Sequence, residues 1–135
     1  MTMSYNVLIV EDQPLIALGL EDAIEALGHK AVGIARNTNE ARALASAADM
    51  AFVDVNLEDG PTGPVIGREL AAADIAVLFM TSDPQALGDG VPGTLGIIEK
   101  PVFDRELTEA IQFVADRRAG MDGAVPPGCL VQFSS

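Results

Sequence analysis

Four groups of polar residues sit where chemistry could be done, and each closes a short apolar run. Glu11-Asp12 follows Val7-Leu8-Ile9-Val10, and Asp54 follows Ala51-Phe52-Val53. Thr81-Ser82 follows the run Ile75 to Met80, and Glu99-Lys100-Pro101 follows Leu95 to Ile98. Bounded runs of this kind read as strands buried on both faces, as in a parallel sheet. Ligands of such sheets bind outside the carboxyl ends of the strands. The four groups should therefore converge on one sheet edge. Glu11, Asp12 and Asp54 would repel one another there. Protonation with a raised pKa relieves the repulsion, and so does a hard divalent cation. Oxygen-only ligands suit magnesium, whereas His29 and Cys129 have no partners at zinc-ligand spacing. Lys100 is the one strand-end cation. A lysine and a magnesium around a carboxylate make an oxyanion site, the arrangement phosphoryl transfer requires. Singly, each feature has a plainer reading: a helix cap for Glu11-Asp12, a loop cap for Asp54, a strand residue for Thr81, a surface charge for Lys100. Their conjunction at four strand ends is what points to a site.

The elements that must position these residues follow from the apolar spacing. Pro14 to Leu27 carries Ile16, Leu20, Ala23, Ile24 and Leu27 on one helix face, with Gly28 as its stop. Ala31 to Ala35 reads as a second strand. Asn37 and Glu40 have capping-box spacing for a helix through Ala47. Glu58 to Pro64 is loop, followed by a helix from about Val65 to Ala73. Asp104 is placed to cap a last helix that buries Leu107, Ala110, Ile111 and Val114. Between the fourth and fifth strands, Asp83 to Gly93 holds Pro84, Gly88, Gly90, Pro92 and Gly93. The alternation calls for a helix there, but this composition allows one turn at most and predicts the most mobile part of the domain. After Arg118 the pattern dissolves, so residues 1–118 are expected to form the domain and 119–135 a loose tail. Five strands alternating with helices predict an α/β fold: a five-stranded parallel sheet with helices on both faces.

Composition removes other classes. Eight Lys and Arg against 20 Asp and Glu give a net charge of -12. That excess is wrong for nucleic acid or an anionic membrane surface, which need clustered cations. No apolar run approaches the ~20 residues of a membrane span. No signal peptide is visible, and the single Cys129 cannot form an internal disulfide, so the expected location is the cytoplasm. His29, next to a helix-ending glycine, is expected at the surface. Arg117 and Arg118 suit the negative end of a helix dipole. No GxxxxGK loop is present, which disfavours nucleotide hydrolysis.

On these residues the chain resembles the receiver domain of bacterial two-component response regulators. The marks are Val7-Leu8-Ile9-Val10-Glu11-Asp12, Asp54-Val55-Asn56-Leu57 with Asp59-Gly60 behind, Thr81-Ser82 and Lys100-Pro101, within Asn6 to Arg118. The resemblance implies the flavodoxin-like, doubly wound form of the fold, in which the composition of 83–93 makes the fourth helix short or irregular. It implies Asp54 as phospho-acceptor from a sensor histidine kinase or phosphotransfer protein. It implies magnesium as cofactor, held by Asp12, Asp54 and the carbonyl of Asn56, with Glu11 acting through a bound water. Thr81 matches the hydroxyl that bonds a phosphoryl oxygen, and Lys100 the lysine that pairs with the acceptor. Pro101 matches a proline preceded by a cis bond. One departure stands out: Ile97 occupies the position, three before the lysine, where the family places a Tyr, Phe or His. Switching by ring rotation coupled to Thr81 cannot operate unchanged there. The Gly- and Pro-rich 83–93 segment is the natural alternative.

The resemblance implies a stand-alone receiver whose output is protein contact, as shuttle, sink or regulator of a kinase or another regulator, with no effector domain after residue 118. A contact face of the last two helical segments and the fifth strand follows by analogy. A receiver fragment of a longer regulator is the alternative, as is a phosphorylation-independent binding module of the same fold. A haloacid-dehalogenase-type phosphohydrolase needs an acid two residues after its nucleophile. Asn56 stands there and cannot do acid–base work.

Overall fold

The computed structural model describes residues 3–121 and 126–133. Its strands are β1 (Asn6–Val10), β2 (Lys30–Ala35), β3 (Met50–Val53), β4 (Ala76–Thr81), β5 (Gly96–Glu99) and β6 (Leu130–Gln132). Its α-helices are α1 (Pro14–Ala26), α2 (Thr38–Leu44), α3 (Gly63–Ala72) and α4 (Asp104–Arg118). The sheet order is β2-β1-β3-β4-β5-β6, with β1 to β5 parallel and β6 antiparallel to β5. The strands expected from the apolar runs are present. β3 is buried at all four positions, as a central strand covered on both faces must be.

Each face of the sheet carries its own core. Val7, Ile9, Phe52, Leu78, Met80 and Ile98 point to one side. They pack against Ala17, Leu20 and Ile24 of α1 and Leu107, Ala110, Ile111 and Val114 of α4. Leu8, Val10, Val53, Val77, Phe79 and Ile97 point to the other side. Ala41 of α2 and Ile66 and Leu70 of α3 cover them. The period-2 alternation of the strands and the 3.6-residue spacing of the helices thus meet at both layers.

Local signals explain most boundaries. Asn37 caps α2 by accepting a hydrogen bond from Glu40 N at 3.0 Å. Glu40 Oε1 accepts in return from Arg36 N at 2.8 Å, one residue ahead of the cap. A 3₁₀ turn at Ala45–Ala47 completes the expected 38–47 stretch. The fourth crossover holds only a 3₁₀ turn, Pro84–Leu87, as the Gly and Pro content requires. Among the described residues no helix is long and apolar enough to cross a membrane.

Three expectations need correction. Residues Leu130–Gln132, read as part of a loose tail, pair with β5 as β6. A three-residue strand is too short to show a period in sequence. Asp104 does not cap α4. Phe103 holds the cap position, and Glu106 Oε1 accepts from its N–H at 3.1 Å, a satisfaction Asp104 one residue later cannot supply. His29 is buried, not superficial, because Nδ1 accepts a hydrogen bond from Tyr5 N at 3.0 Å and the ring packs beside that of Tyr5.

Candidate functional site

The chain leaves β1 toward β2 on one side and returns to β3 on the other. The crevice of this sheet therefore opens where β1 and β3 lie side by side. Glu11 and Asp12 leave the end of β1, and Asp54 leaves the end of β3, one residue beyond the Val10–Val53 pair. Asp54 N donates to Val10 O at 2.9 Å, which carries the strand pairing one residue further. One carboxylate oxygen from each of Glu11, Asp12 and Asp54 lies within 4.8 Å of the other two. The sequence-predicted acids are thus brought together.

Lys100 is brought to the same point from a position 89 residues from Glu11. Its backbone N–H donates to Thr81 O at 2.9 Å, so the end of β4 fixes its start. Its Nζ donates to Glu11 Oε1 and to Asp54 Oδ2, the latter at 2.9 Å. The bond from Lys100 to Pro101 is cis. The lysine side chain is 10% exposed, and those of Glu11 and Asp54 are 5% and 10% exposed. Burial works against the ammonium, but hydrogen bonds and attraction from Glu11 and Asp54 outweigh it and hold the Lys100 pKa above the ordinary lysine value. Burial, aided by the nearby Asp54 charge, raises the Glu11 pKa despite the opposing pull of Lys100. Three carboxylates face one ammonium, so the fully ionised cluster keeps two negative charges uncompensated. A divalent cation matches that charge, and oxygen-only donors are what a hard cation takes. Glu11, Asp12 and Asp54 therefore fit magnesium chemically.

The remaining residues of the site are placed less uniformly. Asp54 Oδ1 accepts from Val55 N at 2.7 Å, which leaves Oδ2 to the lysine. Asn56 is exposed in the loop after Asp54. Thr81 is fully buried at the end of β4, and its Oγ1 accepts from Asp83 N at 3.0 Å. That bond ties the hydroxyl to the loop that follows. Ile97 is buried opposite Phe79 in the β4–β5 ladder and belongs to the core beneath α2 and α3. Asp59 locks the loop after Asp54: it accepts from Thr38 N at 3.0 Å and from Thr62 Oγ1 at 2.7 Å. Those hydrogen bonds pull its carboxyl down to about 2. A cleft of ≈ 550 Å³ opens beside Lys100, between Ile16 and Leu20 of α1 and Val102 and Leu107 near the start of α4.

Two features were not read from sequence. The direct Lys100–Glu11 contact joins groups whose convergence was expected but whose pairing was not. Gly63 falls within the stretch expected to be loop, yet it opens α3, its N–H donates to Val55 O at 2.9 Å and it lies against the Asp54 backbone. The Gly-Pro-Thr-Gly run offered a signal for close approach, because only glycine lacks a Cβ.

A parallel 2-1-3-4-5 order, with acids and a buried lysine at the β1–β3 crevice, defines a class of small receiver-like α/β domains. The chain belongs to the response regulator receiver domain family, which matches over residues 7–112. It is 36% identical over 104 residues to the phyllosphere-induced regulator PhyR of Methylorubrum extorquens, across 73% of this chain and 39% of that protein. The chain thus spans well under half of the curated relative it matches. The solution structure of the Erythrobacter litoralis PhyR response regulator REC domain is similar, with a TM-score of 0.72 and 27% identity, covering 92% of this chain and 96% of that one. The crystal structure of PhyR from Brucella abortus is similar at a TM-score of 0.71 and 31% identity, over 87% of this chain and 48% of that one.

Proposed function

We propose that this receiver accepts a phosphoryl group on Asp54 from a phosphohistidine of a sensor histidine kinase or phosphotransfer protein, and signals through protein contacts. The observation that supports it most is Lys100 Nζ, which reaches Glu11 and Asp54 at once beside the Asp12 carboxylate. An Asp54 carboxylate oxygen forms the new bond to phosphorus as the phosphorus–nitrogen bond breaks. The electron pair leaves with the imidazole, and the product is an acyl phosphate. The ammonium of Lys100 sits where charge gathers on the transferred group and offsets it without reorganisation. Asp12, Asp54 and the carbonyl of Asn56, with Glu11 through a water, would hold magnesium, which would supply further neutralisation of the phosphoryl oxygens. Thr81 is the hydroxyl that bonds the transferred group, once its hold on Asp83 N is given up. Phosphorylation adds negative charge and acceptor oxygens that only that state offers, which is the differential contact a population shift needs.

The output is contact with another protein in the cytoplasm. Several of the relatives bear the name PhyR, and the one from Bartonella quintana is described as an anti-anti-sigma factor. A receiver of this kind gates a contact with another regulator. Intact mass after incubation with magnesium and phosphoramidate tests the reading. Wild type gains one phosphoryl group and Asp54→Asn gains none. Continuous release of phosphate from phosphomonoesters, or no gain at all, contradicts it. Ile97, in place of an aromatic residue, favours a second reading, a binding module indifferent to phosphate. That module would bind its partner equally with Asp54→Asn.

A further inference from the structure

The segment Leu130 to Phe133 grips two parts of the domain at once. β6 covers the edge of β5 with Gly96 opposite Gln132, Ile97 opposite Val131 and Ile98 opposite Leu130. Just past the strand, Phe133 N donates to Leu95 O at 3.0 Å. The Phe133 ring lies 6.5 Å, centroid to centroid, from that of Phe79. It also presses on Gly90, where a Cβ would stand 2.9 Å from Phe133 Cγ. Gly90 belongs to the loop that starts at the Thr81 hydrogen bond to Asp83 N. Within that loop Gly90 N donates to Leu87 O at 2.8 Å, and Leu87 is buried in the core that also holds Phe79 and Ile97. Phe133 is therefore an aromatic wedge between β4 and the Thr81 loop, on the sheet face where position 97 carries isoleucine.

The grip is also slight. Only Leu130 of the three β6 residues is buried, and Val131 is 63% exposed. Short edge strands with few buried contacts belong to the low end of local stability. Beneath β6 lies a row of β5 backbone donors and acceptors, which is a template for any extended chain. β6 itself displays what fits there: an antiparallel strand with an aliphatic residue at one end and an aromatic three positions on.

We infer that β6 is a displaceable strap: movement of the Thr81 loop at Gly90 lifts Phe133, releases β6 and opens the β5 edge to an extended segment of a protein partner that carries this aliphatic–aromatic pair. The trigger rests on the reading of Asp54 as phospho-acceptor; the strap does not.

The test uses the full chain and Val131→Pro, which removes a ladder donor. The probe is a labelled peptide with the sequence of residues 128–135. Val131→Pro should stay monomeric, keep amide protection in β1 and β3, and exchange about tenfold faster over 95–99. It should bind the peptide saturably, whereas unphosphorylated wild type should not. Wild type whose mass shows one added phosphoryl group should also exchange faster over 95–99 and 130–133. Global unfolding of Val131→Pro, unchanged exchange over 95–99, no peptide binding, or a dimer that swaps β6 between copies each overturns the strap. A phosphoryl gain with unchanged exchange overturns the trigger alone. Absence of any gain overturns the Asp54 reading and the trigger with it, while Val131→Pro still decides the strap.

Discussion

Gly63 lies against the backbone of Asp54: a Cβ built on it would come within 2.0 Å of the Asp54 carbonyl oxygen and 2.6 Å of Val55 Cα. The opposing atoms are backbone, so no rotamer change relieves the contact. The first residue of α3 thus holds the level at which the Asp54 carboxylate stands.

Gly63→Ala must move the loop after β3, and it is expected to destabilise the domain by about 2 kcal/mol. Displacing the acceptor by a fraction of an ångström should slow its phosphorylation by up to ~100-fold. Gly67→Ala is the control, because its Cβ would meet the Phe79 ring at 2.4 Å, in the core and away from the acids. Urea unfolding measures the first effect, and the rate of mass gain from phosphoramidate at matched folded fraction measures the second. Equal rates in the two variants would remove the positioning role of Gly63.

Magnesium should stabilise the folded state, because the Glu11, Asp12 and Asp54 cluster exists only there. At a hundredfold excess over the dissociation constant the gain is about 2.7 kcal/mol. Thermal unfolding with and without chelator reads it as a concentration-dependent rise in Tm. Asp12→Asn should abolish most of the rise. A Tm indifferent to magnesium in wild type contradicts the assignment.

Thr81 links the site to the loop that leaves β4. Thr81→Ala strands the Asp83 N–H and is expected to cost about 1 kcal/mol. Compared at equal phosphoryl occupancy, the change in amide exchange over 83–93 should shrink in Thr81→Ala and return in Thr81→Ser. A response in Thr81→Ala as large as in wild type would place the switch elsewhere.

His29 makes stability depend on pH near neutrality. Burial lowers its pKa below the ordinary 6.5, and its Nδ1 must stay unprotonated to accept from Tyr5 N. The unfolded chain therefore binds the proton more readily than the folded one. The stabilisation is complete above pH 6.5 and is lost as pH falls from there through the folded value. His29→Asn keeps an acceptor but does not titrate. Denaturant midpoints measured from pH 8 downward should fall faster in wild type than in this variant below about pH 6.5. Parallel profiles would refute the role.

The parallel core and the convergence of the acids were legible because both rest on local pattern. Val7 to Val10 and Ala51 to Val53 are apolar without interruption, and strand ends of a parallel sheet share an edge. What stayed hidden depends on contacts between distant segments. Nothing near His29 signals burial, since its partner Tyr5 lies 24 residues away. β6 has three residues, and its meaning comes from β5 and from Gly90 rather than from its own period. Likewise, the strand-end rule brings Lys100 to the acids but does not say that its ammonium bridges Glu11 and Asp54.

The proposed chemistry comes down to one carboxylate, that of Asp54. Peptide-level mass spectrometry, after magnesium-dependent reaction with a small phosphodonor, locates the added group directly. A single base-labile, hydroxylamine-reactive acyl phosphate is expected on Asp54, absent with chelator. A phosphoryl group on any other residue, or none on Asp54 under conditions where the fold is intact and magnesium is bound, would contradict it.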